Sequence, residues 1–202
     1  NTYFSWALNL AALLACCCAI EAGAASAEAP ALQAGLKALG IEEGYQIVVA
    51  GERDIVEDTA AQMMQRFLAR ASIDASIVTE SEAAGEKQFL LGLDSNHKAI
   101  RALGDKGDIN IQDVSPEDDG FHLKQIGTHI VIAGANPRGV LYGVYAFEDF
   151  IGAGEQGKLD SKKVPYYRKR GTGLYLTKVG FGAPLDAIPE EMAIYLAGRF
   201  KV

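Results

Sequence analysis

A strand pattern followed at once by an amphipathic helix constrains this chain more than any other feature. Tyr45-Gln46-Ile47-Val48-Val49-Ala50 is a short, almost continuous apolar run that reads as a buried strand. Behind it Val56, Ala60, Met63, Met64, Phe67, Leu68 and Ala71 recur at helical spacing and share one face. Asp54, with Glu57 three residues later, is a capping-box pattern that marks where this helix begins. A buried strand and a helix with one apolar face must each be covered by something else, and layered α/β packing does this.

The remaining spacing extends the pattern. Ala75–Val78 and Phe89–Leu93 read as further strands, with short helices around Ala31–Leu39 and over 96–104. Gly120–Lys124 and Thr128–Ala133 read as a hairpin turning at Ile126-Gly127. Asn136 is placed to cap a helix with Pro137 at its first position, where the missing N–H costs nothing. Val140, Leu141, Val144, Phe147 and Ile151 mark its buried face, and Gly152 is expected to end it in the C′ position. The predicted fold class is α/β, in the sense of an α+β sandwich: a mixed β-sheet with helices packed on it.

Of the 202 residues 49% are hydrophobic and 22% charged, which suffices for a core without staples. A net charge of -7 argues against nucleic acid as the main partner. The start of the chain has another character. Trp6 to Ile20 carries no charge, and Ala25-Ser26-Ala27 follows, the pattern of an export signal (1–27) with its cleavage site. All three cysteines, Cys16, Cys17 and Cys18, lie in that run, so a mature chain would have neither a disulfide framework nor a thiolate zinc site. Leu13-Leu14-Ala15-Cys16 also resembles a lipobox, which would make Cys16 a lipidated residue and the lipid an anchor. Either route leads out of the cytoplasm, to the periplasm, the exterior or the outer membrane.

Residues 153–170 are rich in Gly, Lys and Arg, and Glu155 to Lys178 holds seven basic and two acidic residues. This stretch is expected to be a linker. Beyond it Gly173-Leu174-Tyr175-Leu176 reads as a strand and Pro189–Phe200 as a helix, half of a β/α repeat that needs neighbours. The expected organisation is therefore a signal over 1–27, an α/β domain over 28–152, a linker over 153–170 and a truncated first β/α unit of a (β/α)8 barrel over 171–202.

No motif supplies a self-sufficient reaction centre. Gly152-Ala153-Gly154-Glu155-Gln156-Gly157 has dinucleotide spacing but follows a helix instead of a strand. Gly134 to Gly139 has phosphate-loop spacing, but Val140-Leu141 stands where Lys and Ser/Thr are required. His122 and His129 could face each other across the hairpin, too few ligands for zinc, and His97 stands apart from both. Asp118-Asp119 and Glu190-Glu191 are sequence neighbours and cannot flank one glycosidic bond from opposite sides. The expected catalytic set is none, the expected metal set none, and no cofactor is expected.

One long phrase carries a resemblance. Gly134-Ala135-Asn136-Pro137-Arg138-Gly139-Val140-Leu141-Tyr142-Gly143-Val144-Tyr145-Ala146-Phe147-Glu148-Asp149-Phe150-Ile151-Gly152 resembles the closing helix of the domain that precedes the barrel in β-hexosaminidases and α-glucuronidases. The strands Gly120-Phe121-His122-Leu123 and Ile130-Val131-Ile132-Ala133 fit it too, and the resemblance covers about 40–152. Pro165-Tyr166-Tyr167-Arg168-Lys169-Arg170-Gly171 is similar to the entry into the first barrel strand, which would make Arg170 a sugar-binding residue. The pattern then departs: Leu176-Thr177-Lys178 stands where hexosaminidases have an Asp and an Arg. The resemblance implies the non-catalytic N-terminal domain of an exported glycoside hydrolase. Its partners would be its own barrel and, through that barrel, a carbohydrate. The alternatives are a free-standing exported binding module and, third, a metal-dependent hydrolase using His122 and His129.

Overall fold

The computed structural model describes residues 29–154 and 157–165. A helix, α1, occupies 29–38. It is followed by β1 (Gln46–Val49), α2 (Ile55–Arg70), β2 (Ser76–Thr79), β3 (Gln88–Leu93), α3 (Lys98–Asp105), β4 (Phe121–Ile126), β5 (His129–Gly134), α4 (Pro137–Gly152) and β6 (Asp160–Lys163). Among the described residues the strands form one six-stranded sheet in the order β2-β1-β3-β5-β4-β6. β2, β1, β3 and β5 run parallel, and β4 is antiparallel to both β5 and β6. The fold is mixed α/β, as the spacing predicts.

Alternation along the strands divides the core. Ile47, Val49, Phe89, Leu91, Ile130, Ile132, Phe121 and Leu123 face the side covered by α1, α2 and α4. Val48, Leu90, Val131 and Ala133 face the other side, which is covered by Ile100 of α3 and by Ile109, Ile111 and Val114 of the loop after it. Strands buried on both faces are nearly continuous in apolar residues, which is why β1 and β3 lack a polar-out alternation. On the large-helix side Phe147 meets Phe67 and Phe89 edge-on, with ring centroids 5.8 and 5.7 Å apart. Such geometry sets the positive ring edge against the negative face.

Local chemistry starts the helices where the sequence predicts. Asp54 accepts from the Val56 amide, and Glu57 reaches back to the Asp54 amide. Asn136 accepts from the Gly139 amide with Pro137 in the first turn. α4 packs very close to the sheet, which requires glycine on its inner face. A Cβ on Gly143 would lie 2.3 Å from Cγ2 of Ile132, and one on Gly139 would lie 2.2 Å from the Gly120 carbonyl oxygen.

Two expectations need correction. Gly152 does not end α4 as its C′ residue. The helix includes it, Ala153 is the C-cap, and Gly154 takes the left-handed turn at φ 63°. The supposed linker 153–170 contains β6, which extends the sheet beyond β4, and the buried Leu159. β6 is Asp-Ser-Lys-Lys, a polar strand without an apolar signature, suited to a sheet edge that must not recruit other strands.

Candidate functional site

In an open α/β sheet the default ligand crevice lies beyond the carboxyl ends of the strands, where the strand order reverses. Here the chain leaving β1 goes to β2 on one side, and the chain leaving β3 goes to β4 and β5 on the other. The reversal lies between β1 and β3. A crevice of about 530 Å3 opens there, walled by Glu52, Thr79, Glu80, Ser95, Asn96 and Lys98 among others.

Two buried ionisable groups underlie it, Glu57 and His97. Glu57 sits in the first turn of α2. Besides the Asp54 amide it accepts from Nδ2 of Asn96, whose distances to the two carboxylate oxygens are 3.1 and 3.2 Å. His97 is the N-cap of α3, and its Nε2 lies 3.3 Å from the Val48 carbonyl oxygen. Burial pushes the His97 imidazole below its ordinary value, against the opposing pull of the Glu80 charge. Glu80 also accepts from the Ala99 amide at 3.0 Å. Its carboxylate therefore sits on the first turn of α3, where the helix dipole favours negative charge.

The helix starts that would hold a phosphate in other α/β folds are occupied here by the chain's own carboxylates: Asp54 and Glu57 at α2, and Glu80 at α3. A bound anion would meet negative charge on both sides. The cluster ties the β1–α2, β2 and β3–α3 loops together, and Glu57, Asn96 and His97 are all engaged in doing so. The other phosphate-like feature, Gly134 to Gly139, is filled by protein. A Cβ on Gly134 would lie 2.5 Å from the Val140 amide nitrogen, so backbone occupies the space a loop ligand would need.

The hairpin histidines are not opposite each other. In the β4–β5 register His122 pairs with Ala133, and His129 with Ile126, at the far end of the hairpin. The spacing placed both near one turn, but the turn lies so close to His129 that His122 is carried to the other end of β4. His122 is buried and both its ring nitrogens are used. Nδ1 accepts from the Asn110 amide at 2.9 Å, and Nε2 donates to Oδ1 of Asp160 at 3.0 Å. Donation from His122, aided by Lys124, holds the Asp160 carboxyl below the usual carboxylate range. An imidazole with both nitrogens committed offers no free lone pair to a metal or a substrate proton. Among the described residues no group of three or more His, Cys, Asp or Glu side chains is placed to hold a metal ion.

Asp118 and Asp119 lie at the end of a turn-rich stretch between α3 and β4. Asp119 is buried and accepts from Nε of Arg138 at 3.0 Å and from Nδ2 of Asn136 at 2.9 Å. It anchors the loop to the start of α4. Cys16, Arg170, Glu190 and Glu191 lie outside the described residues, as do the tail strand and helix. Sequence reasoning missed the partnership of Glu80, Asn96 and His97. The available signal was Asp94-Ser95-Asn96, three capping-type residues in a row directly behind a strand and ahead of His97.

The sequence profile described as glycosyl hydrolase family 67 N-terminus matches residues 29–147. No curated protein matches. Among solved structures, a GH138 enzyme targeting pectin rhamnogalacturonan II is 15% identical with a TM-score of 0.44, over 61% of this chain and 15% of that one. CpGH84D is 18% identical with a TM-score of 0.42, over 57% and 19% of the two chains. BtGH115A, a family GH115 4-O-methyl-alpha-glucuronidase with specificity for decorated arabinogalactans, is 18% identical with a TM-score of 0.43, over 61% and 18%. The matched region is thus less than a fifth of each of these proteins.

Proposed function

The chain belongs to the glycosyl hydrolase family 67 N-terminus family, and from that premise we propose that it serves as the non-catalytic N-terminal domain of an exported glycoside hydrolase acting on polysaccharide or glycan substrates. The observation that carries this reading is the family match over 29–147, the stretch that builds most of the sheet. The chemistry agrees with it. His97, His122, Glu57 and Asp119 are buried and spent on bonds between loops and strands.

In this reading either residues 1–27 direct export and are cleaved after Ala27, or a lipoprotein signal ends before Cys16, which is then lipidated. Residues 171–202 begin the barrel, and Arg170 offers its guanidinium fork to sugar hydroxyls. Kinship with the β-hexosaminidase and α-glucuronidase branches is part of the same proposal. Hydrolysis of the glycosidic bond is then the work of carboxyl groups on later barrel strands. Carbohydrate reaches the protein through that barrel.

The test compares the 202-residue chain with the polypeptide obtained by reading the gene past Val202, on chromogenic glucuronides and N-acetylglucosaminides. Hydrolysis by the longer polypeptide alone is expected. Hydrolysis by the short chain, or polysaccharide binding with no hydrolysis by either, would replace this reading, the latter with a free-standing binding module. Cell fractionation with N-terminal sequencing and palmitate labelling tests export and Cys16.

A further inference from the structure

The crevice between β1 and β3 keeps hydrogen-bonding capacity after its internal bonds are counted. Asn96 is fully spent. Its Oδ1 accepts from the Leu93 amide at 3.2 Å, and its Nδ2 donates to Glu57 and to the Glu52 carbonyl. Glu80 is half spent. Its Oε1 accepts from the Ala99 amide and faces Nδ1 of His97, and among the described residues nothing engages Oε2. The Thr79 hydroxyl donates to Glu82 at 2.7 Å, so in the 2.9 Å contact between Thr79 and Ser81 the proton comes from Ser81. Both hydroxyls have then used their protons and keep lone pairs alone. Among the described residues the side chains of Glu52, Ser95 and Lys98 enter no hydrogen bond or ion pair.

What remains selects a kind of ligand. Acceptors stand at Glu52, Glu80 and Ser81 and donors at Ser95 and Lys98, around a space of about 530 Å3. Small-molecule sites typically enclose about 300–1,000 Å3. An anion would meet the carboxylates of Glu52 and Glu80. An ammonium ion would satisfy those carboxylates, but it would face the Lys98 charge and has no lone pair to accept from Lys98 or Ser95. No group of three acidic, imidazole or thiol side chains is placed for a metal ion among the described residues. An apolar ligand would strip water from charged groups and replace none of its bonds. A hydroxyl both donates and accepts, so a ring carrying several of them can meet every free group at once. Part of the wall is also fixed in advance. Buried His97 and Glu57 hold Glu80 and Asn96 from beneath, so binding need not order them.

We propose that this crevice binds a neutral polyhydroxylated ring, a pyranose, with Glu52 and Oε2 of Glu80 accepting from its hydroxyls and Ser95 and Lys98 donating to them. The domain would then touch carbohydrate itself, beside any contact made through a barrel. The proposal uses the described residues alone and asks nothing of hydrolysis, so its failure and the failure of the hydrolase reading are separate results.

Amide-resolved NMR titration of the 202-residue chain tests it, with the methyl β-glycosides of glucose, galactose and mannose as probes. Inorganic phosphate and methylammonium chloride, at matched ionic strength, represent the anion and the cation. At least one glycoside should shift the amides of 79–81 and 95–98 saturably, with a Kd on the order of 1–10 mM, as suits so small a ligand. The amides of β6 should not move. Glu52→Ala and Lys98→Met should each weaken that binding at least about fivefold with the remaining spectrum unchanged, since each removes a charged hydrogen-bonding group. Lys163→Met, at the far edge of the sheet, should leave the affinity as it is. No saturable shift with any of the three glycosides up to about 100 mM overturns the proposal. So does tighter binding of phosphate or methylammonium at the same amides, or an affinity that neither Glu52→Ala nor Lys98→Met changes. The ranking of the probes on the unaltered chain decides the matter if a variant fails to fold.

Discussion

Nδ1 of His97 lies 3.0 Å from Oε1 of Glu80, with the imidazole wholly buried and the carboxylate partly exposed. On its other side the ring faces the Val48 carbonyl oxygen. A charged ring would donate to both oxygens, whereas a neutral ring has a single N–H. Burial nevertheless dominates and lowers the His97 value. The fold therefore favours the neutral ring.

Acid lability follows from that direction. As pH falls, the unfolded chain takes up the His97 proton before the folded chain does. The stability contribution is thus complete above the ordinary histidine value near pH 6.5 and is lost as pH drops below it. One proton gives a slope of at most about 1.4 kcal/mol per pH unit. Thermal unfolding between pH 7.5 and 5 should show a falling Tm, and His97→Asn, which keeps a capping side chain, should flatten the slope. Equal slopes in the two proteins would refute the assignment.

The glycines of α4 should be intolerant. Gly143→Ala brings a methyl within 2.3 Å of Ile132 Cγ2, and Gly139→Ala brings one within 2.2 Å of the Gly120 carbonyl. Overpacking of this kind costs about 1–3 kcal/mol or more. Gly152→Ala, near the end of the same helix with no neighbour within 4 Å, is the control. It should be neutral or stabilising by up to about 1 kcal/mol, through the unfolded state. Urea midpoints should separate the first two variants from the third.

β6 depends on Asp160. Its carboxylate accepts from His122 and lies 3.5 Å from the Lys124 ammonium. Asp160→Ala should increase amide exchange through residues 160–163 at neutral pH and leave β1 and β3 protected. The carboxyl value is lowered in the fold, so its contribution is present above the unfolded value near 3.8 and is lost as pH falls through the lowered folded value. Exchange of the variant and the parent should converge at strongly acid pH. A β6 that exchanges identically at pH 7 would show that sheet pairing alone holds it.

Zinc should not bind stoichiometrically. His122 and His129 stand at opposite ends of the hairpin, and the nitrogens of His122 are already bonded. Calorimetric titration of residues 28–202, which lack the three cysteines, should give no saturable heat at micromolar zinc. One equivalent bound, and lost on His122→Ala, would revive the metal-dependent alternative.

What the sequence by itself determined is whatever depends on neighbours a few residues apart. The helix over Ile55–Arg70 with its Asp54 cap, the Asn136-Pro137 start of α4 and the tight turn of the hairpin all follow from local spacing, because side-chain periodicity and capping are short-range effects. Only the tertiary structure decided the strand order, the separate side taken by α3 and the membership of β6, whose four polar residues carry no apolar period. It also decided that Glu57 meets Asn96 and that Glu80 meets His97, partners separated by whole elements of the chain. Such pairs form because the parallel strands bring their carboxyl ends to one edge, and the identity of each buried neighbour then sets which ionisable groups are free for chemistry and which are consumed in holding the loops.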